Sequence, residues 1–222
     1  METLLPNVDW LEIWQASLDT LNMLGGSMLF TVLFGLPLGV LLFLTGPRQM
    51  FEQKGLYAVI SLVVNVLRSV PFVILLILLI PVTVVITGTS LGVAGAIPPL
   101  VVGATPFFAR LVETALREVD RGIIEATQAM GASTRQIIFN ALLPEALPGI
   151  LAAITVTAIT LVSYTAMSGL IGGGGLGDLA VRYGYQRYQP DVMFVTVALL
   201  VVLVQILQTI GDRLVVLSLI HI

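Results

Sequence analysis

The chain has 222 residues, of which 57% are hydrophobic and 10% charged, with a formal net charge of −3 and no cysteine. Its mean hydropathy of +1.04 lies far from a soluble globular composition, in which about 25% of residues are charged, so the sequence is that of an all-α polytopic membrane protein. The missing cysteines exclude disulfides and thiolate metal sites, and the single histidine, His221, is next to last in the chain, which leaves no imidazole for catalysis or metal binding within the membrane.

Residues 1–19 carry four acids, Glu2, Asp9, Glu12 and Asp19, and no base. They lack the basic start of a signal peptide. Trp10, Ile13, Trp14 and Leu18 recur at helical spacing, which predicts a helix lying in the outer interface as an anchor. A crossing needs about 20 apolar residues, and residues 20–47 carry no charge, so the first span is placed at about 20–46. Residues 69–109 are also free of charge, long enough for two crossings with a turn at Pro81 and Thr87 to Ser90. Spans two and three are placed at about 60–87 and 91–116. The fourth is placed at 146–171, and the fifth at 192–211, about 30 Å of helix.

Five crossings put the termini on opposite sides, and the Lys/Arg distribution orients them. Arg48, Lys54, Arg110, Arg117, Arg121, Arg135 and Arg213 fall on one side, against Arg182 and Arg187 on the other. The richer side is expected to be cytoplasmic, with the N-terminus outside and the C-terminus inside.

Between spans three and four, residues 117–144 read as helix, break, helix. Ile123, Ala126 and Met130 make a narrow apolar stripe, Gly131 stands where a helix ends in a left-handed residue, and Ser133 with Gln136 has capping-box spacing. Pro144 and Pro148 stop the second helix and open the fourth span. On these grounds alone the segment is either a docking element or a loop held on lipid headgroups by Arg117, Arg121 and Arg135. The spacing of Glu125, Ala126, Gly131, Leu143 and Pro144 resembles the E-A-A signature of permease subunits of bacterial ATP-binding cassette importers, with Thr127 and Ala141 as departures from it.

That resemblance implies a type I importer permease fold working as a homodimer in the bacterial inner membrane. It implies that the Glu125–Pro144 segment sits in a cleft of a separate ATPase subunit, that Ala126 and Gly131 allow close approach, and that Glu125 bonds to backbone or a cation near the turn. ATP and magnesium would be bound by that partner, with no cofactor or metal held by this chain. The sequence agrees in having no G-x-x-x-x-G-K-[ST] phosphate loop; its glycine run, Gly172 to Gly175 with Gly177, is followed by Asp178.

Further stretches, Arg68 to Phe72, Leu142 to Ile150, Gly172 to Asp178 and Tyr183 to Tyr188, are similar to permeases of the methionine importer group. Methionine as cargo, L- and possibly D-, rests on this resemblance, with another small amino acid or metabolite as the alternative. In the fourth span Thr157, Thr160, Tyr164 and Met167 or Ser168 share one face, a candidate path lining. The competing reading is that these hydroxyls bond their own backbone or join helices, and that Met167 is ordinary filler.

No acid or base lies in the last two spans to pair with the charged ends of an amino acid. Selectivity is therefore expected in an external, periplasmic or lipid-anchored binding protein, with the outer loop 172–191 as its landing surface. Arg68 is expected at the inner interface, whereas a deeper position would demand a partner. Gly35/Gly39 and Gly169/Gly173 have the spacing of close helix packing. A secondary transporter predicts intramembrane acids and an internal repeat, which the sequence does not show. A plain membrane anchor for a cytoplasmic enzyme would need only the docking loop. Nothing points to nucleic acid.

Overall fold

The computed structural model describes residues 5–220; Glu2 and His221 lie outside them. Helix α1, Trp10–Thr45, begins where the Asp9 side chain accepts from the N–H groups of Leu11 and Glu12 at 2.9 and 3.3 Å. It is unbroken for 36 residues, about 54 Å. The expected separate interfacial helix is therefore, over residues 10–19, the N-terminal end of the first long helix, because Asp9 supplies a helix start and nothing near Asp19 supplies a stop.

The second crossing is broken. Helix α2, Lys54–Ser69, and α3, Phe72–Leu78, meet at 102°. Pro71 causes the break: it has no N–H to continue the helix and forces the preceding residue out of helical geometry, and Val70 is extended at φ −78°, ψ 125°. Helix α4, Ile80–Thr87, carries Pro81 in its first turn, where proline is tolerated, and ends at left-handed Gly88. The expected turn lies at 88–91, and Pro81 opens a helix instead of marking that turn.

Helix α5, Gly92–Arg117, runs parallel to α1. The register is set by small residues: Gly35 faces Phe108, and a Cβ at Gly39 would lie 2.6 Å from the Cβ of Val112 and 2.7 Å from the Ala109 carbonyl. The Gly35/Gly39 pair thus makes the closest part of the α1–α5 seam, and Phe108, Val112 and Leu116 are fully buried around it.

After α5 come α6, Arg121–Ala129, and α7, Thr134–Ile137, then a π-helical turn, Ile138–Leu142, and the short α8, Leu143–Glu145. Helix α9, Leu147–Ser168, returns antiparallel to α5, with Gly149 against Ala115. A 3-10 turn, Gly169–Ile171, leads to α10, Gly175–Leu179, and a second π-helical turn, Ala180–Tyr185. Helix α11, Pro190–Ile220, packs on α9 and continues beyond the expected end at 211.

Among the described residues four helices are long and apolar enough to cross a membrane, and the bent α2–α3 pair makes a fifth. One end of the bundle holds Asn7 bonded to Asp191 and the glycine loop bonded through Gly92 N–H to Gly172 O. The other holds Thr45, Arg117 and α6.

Candidate functional site

The point where the chain leaves the bundle for α6 is fixed by charge. Glu113 on α5 is 3% exposed and accepts from Arg110 Nη1 at 2.6 Å, Arg117 Nη2 at 2.7 Å and the Tyr57 hydroxyl at 3.2 Å. Arg110 Nη2 also reaches Ser61 O at 3.3 Å and Asn65 Oδ1 at 3.1 Å. A carboxylate in a low-dielectric interior is tolerated when its oxygens are fully engaged, and here the same donors tie α2 to α5. This cluster was not among the expected sites. Its signal was the spacing, since Glu113 stands three and four residues from its two arginines, one helical turn in each direction.

Beyond this root, α6 touches the bundle through half-buried Ile124, which packs against the cluster around Phe108 and Leu116. Asp120 caps it through Gly122 N–H at 2.7 Å, and Thr127, a departure from the signature, donates its hydroxyl to Ile123 O at 2.6 Å. No residue of α6 is buried. Ala126 and Glu125 are exposed, Ile123 is half-buried, and Met130 is 77% exposed. Glu125 has no hydrogen-bond or charge partner among the described residues. Gly131 follows at φ +80°, its N–H donating to Gln128 O at 2.9 Å, and a Cβ there would meet nothing within 4 Å.

The second arm starts on the predicted capping box, with Ser133 N–H donating to Gln136 Oε1 at 2.8 Å and Gln136 N–H to Ser133 Oγ at 3.4 Å. It then widens into a π-helical turn in which Leu143 N–H reaches Ile138 O. Pro144 accounts for the widening, because it offers no N–H to the Asn140 carbonyl and its ring crowds that carbonyl. Such turns are rare and frequent at functional sites. Leu143 packs onto the cluster around Phe108 and Leu116, while Pro144 is exposed. Of the five signature residues, Leu143 seats the segment on the bundle, Gly131 makes the turn, and Glu125, Ala126 and Pro144 are presented outward.

The candidate path residues of α9 divide. Thr157 and Ser168 are fully buried within the chain and bond Ala153 O and Thr165 O, both at 2.7 Å, the backbone-bonded arrangement weighed against a path role. Thr160 donates to Val156 O at 2.8 Å but is only partly buried, as is Tyr164, and Met167 is 40% exposed. These three share the open face. The Tyr164 ring stacks on Phe72 with centroids 4.1 Å apart and the rings parallel. Arg68, at the end of α2, approaches the face of Phe107 at 6.0 Å. It sits fourteen residues from Lys54, where its helix starts, about 21 Å along the axis. The expected place at the inner interface is therefore replaced by a deeper one, because the helix carrying it begins well before it.

At the opposite end, α10 is buried throughout. Leu176 N–H donates to the Thr20 hydroxyl of α1 at 2.9 Å, and buried Asp178 pairs with Arg182, whose Nε lies 2.7 Å from its carboxylate. That hydrogen bond raises the Arg182 guanidinium further above its ordinary value. Arg187 stands over the Tyr183 ring at 4.4 Å, while Tyr185 and Tyr188 are exposed. The loop is thus a keyed base with a cationic, aromatic rim.

Residues 35–218 match the family described as binding-protein-dependent transport system inner membrane component. The probable D-methionine transport system permease protein MetI of Vibrio cholerae is 55% identical over 181 residues, covering 82% of this chain and 80% of the relative. The methionine import system permease protein MetP of Bacillus subtilis is 50% identical over 211 residues, 95% of each chain. Among solved structures, a chain of the inward-facing MetNI methionine ABC transporter superposes with a TM-score of 0.92 at 48% identity, covering 95% of this chain and 99% of that one. The chain belongs to the family of binding-protein-dependent transport system inner membrane components, as the permease component of an ABC transporter and not itself an ATPase.

Proposed function

We propose that this chain forms the translocation path of a methionine importer in the bacterial inner membrane, as one of two identical copies, each docked to an ATPase subunit that binds ATP and magnesium. Five crossings give only one wall of a channel, which is the reason for the second copy. The observation that carries the reading is α6: a helix capped at its start, closed by left-handed Gly131, and without a buried residue of its own. Such an element needs an external seat. The apolar stripe of Ile123, Ala126 and Met130, with Glu125 beside it, is the surface offered. Methionine as cargo is supported by the identity to methionine permeases over most of the chain.

The orientation follows from the basic residues: the end with α6 faces the cytoplasm, and the glycine loop faces outward. There the rim of Arg182, Arg187, Tyr185 and Tyr188 forms the landing surface for a substrate-binding protein. Thr160, Tyr164 and Met167 line the path.

The test is reconstitution in vesicles with the ATPase and binding protein. Radiolabelled methionine should accumulate only with ATP and with all three components present. Accumulation of a different amino acid, with methionine excluded, would overturn the cargo, and ATP-independent accumulation would overturn the class.

A further inference from the structure

We propose that Arg68 is the carboxylate-binding group of a substrate site partway along the path, one that takes zwitterionic amino acids with apolar side chains; the inference rests on the transport reading above. The break between α2 and α3 opens a cavity of about 130 Å³ lined by Leu67, Arg68, Val70, Gly103, Phe107 and Tyr164. Arg68 is its only charged residue. The acid nearest along α5, Glu113, is already engaged by Arg110 and Arg117. Apart from the ring of Phe107, Arg68 has no hydrogen-bond or charge partner among the described residues, and the Tyr164 hydroxyl has none.

Depth makes that vacancy informative. Arg110 bonds Ser61 and Asn65 of α2, and Arg68 lies one to two turns further from the basic end. Phe107, whose ring Arg68 faces, stands ten residues before Arg117 at the end of α5, about 15 Å along the helix. An arginine at such depth is costly beside lipid and normally faces a cavity or a partner. Lipid phosphates lie beyond a hydrocarbon core about 30 Å thick, so they do not reach it. A substrate carboxylate does, and guanidinium matches carboxylate with two parallel hydrogen bonds.

The rest of the cavity fits the other parts of such a ligand. The last turn of α2 ends with carbonyls that have no helical donor, because the chain breaks at Pro71, and these are acceptors suited to an ammonium. The stacked Phe72 and Tyr164 rings give an apolar wall, which a thioether contacts favourably. A Cβ at Gly103 would come within 3.1 Å of the Phe72 ring, so that glycine leaves the wall its place. The fourth and fifth spans carry no charged partner for an amino acid, and the group stands in the second.

The chain has no cysteine, so Val70→Cys places a single thiol in the cavity of the assembled transporter. Alkylation of that thiol, read by mass spectrometry of the permease, should be slowed by L-methionine and not by L-methionine amide, which lacks the carboxylate. With Arg68→Gln added, the methionine concentration needed for protection should rise about tenfold to a hundredfold, and Arg68→Lys should recover part of it. Uptake by Arg68→Gln should fall at least tenfold while the permease still copurifies with its ATPase. Equal protection by methionine and its amide would overturn the site, and this comparison needs no change at Arg68. Protection of Arg68→Gln at wild-type concentrations would overturn it too. Failure of the unmodified complex to take up methionine with ATP would instead overturn the transport reading itself.

Discussion

Two short helices at opposite ends of the bundle are both bordered by left-handed glycines, yet they are held in opposite ways. Every residue of α10 is buried, and its backbone is tied to Thr20. No residue of α6 is buried, and its ties are a cap at Asp120, a turn at Gly131 and the packing of half-buried Ile124 on the bundle. A nine-residue helix is marginal in water by itself, so α6 takes its stability from what seats it. The glycine loop is part of the fold, and under the proposed function the α6 hairpin is half of an interface whose other half is the ATPase.

The comparison can be broken most severely at the root of the hairpin. Glu113→Ala leaves partly buried Arg110 and Arg117 without their shared carboxylate and should cost about 3 kcal/mol, the low end for a broken buried pair, read as a lower midpoint for thermal inactivation in detergent. Next comes Gly175→Val, which places a Cβ 2.6 Å from Thr20 Oγ1 and 2.7 Å from Met23 Cε at φ +79°; overpacking of this kind costs about 1–3 kcal/mol, added to the left-handed backbone penalty. Gly131→Ala meets no atom and should cost only about 1–2 kcal/mol, the left-handed backbone term. Met130→Ser should change stability of the isolated permease by less than about 0.5 kcal/mol, yet weaken its pull-down of the ATPase. If Met130→Ser lowered the inactivation midpoint as much as Gly175→Val, the contrast between the two helices would be lost.

Much of this was legible from local chemistry. The Gly131 turn, the Ser133–Gln136 box and the turn at Thr87 to Ser90 are short-range signals, legible because the residues that make them are adjacent in sequence. The path face was harder. Thr157 and Ser168 are within one face of α9 with Thr160, Tyr164 and Met167, but which part of that face turns inward depends on the packing of α1 and α5, which periodicity does not contain. Arg68 was misplaced for a similar reason: hydropathy finds where charge is absent, and α2 begins among charged residues and is broken by Pro71 inside the stretch read as one span. The buried Glu113 cluster was missed because its charges, seen as a list, only oriented the chain, and their pairing with Tyr57 and Ser61 joins helices about fifty residues apart.

The proposed seating of α6 and its turn in the ATPase is tested most directly by Gly131→Trp, in vesicles containing the ATPase and the binding protein. The substitution finds open space within this chain, so the permease should reach the membrane as a dimer, while ATP-driven methionine uptake should fall at least tenfold. Uptake at the wild-type rate would contradict the account.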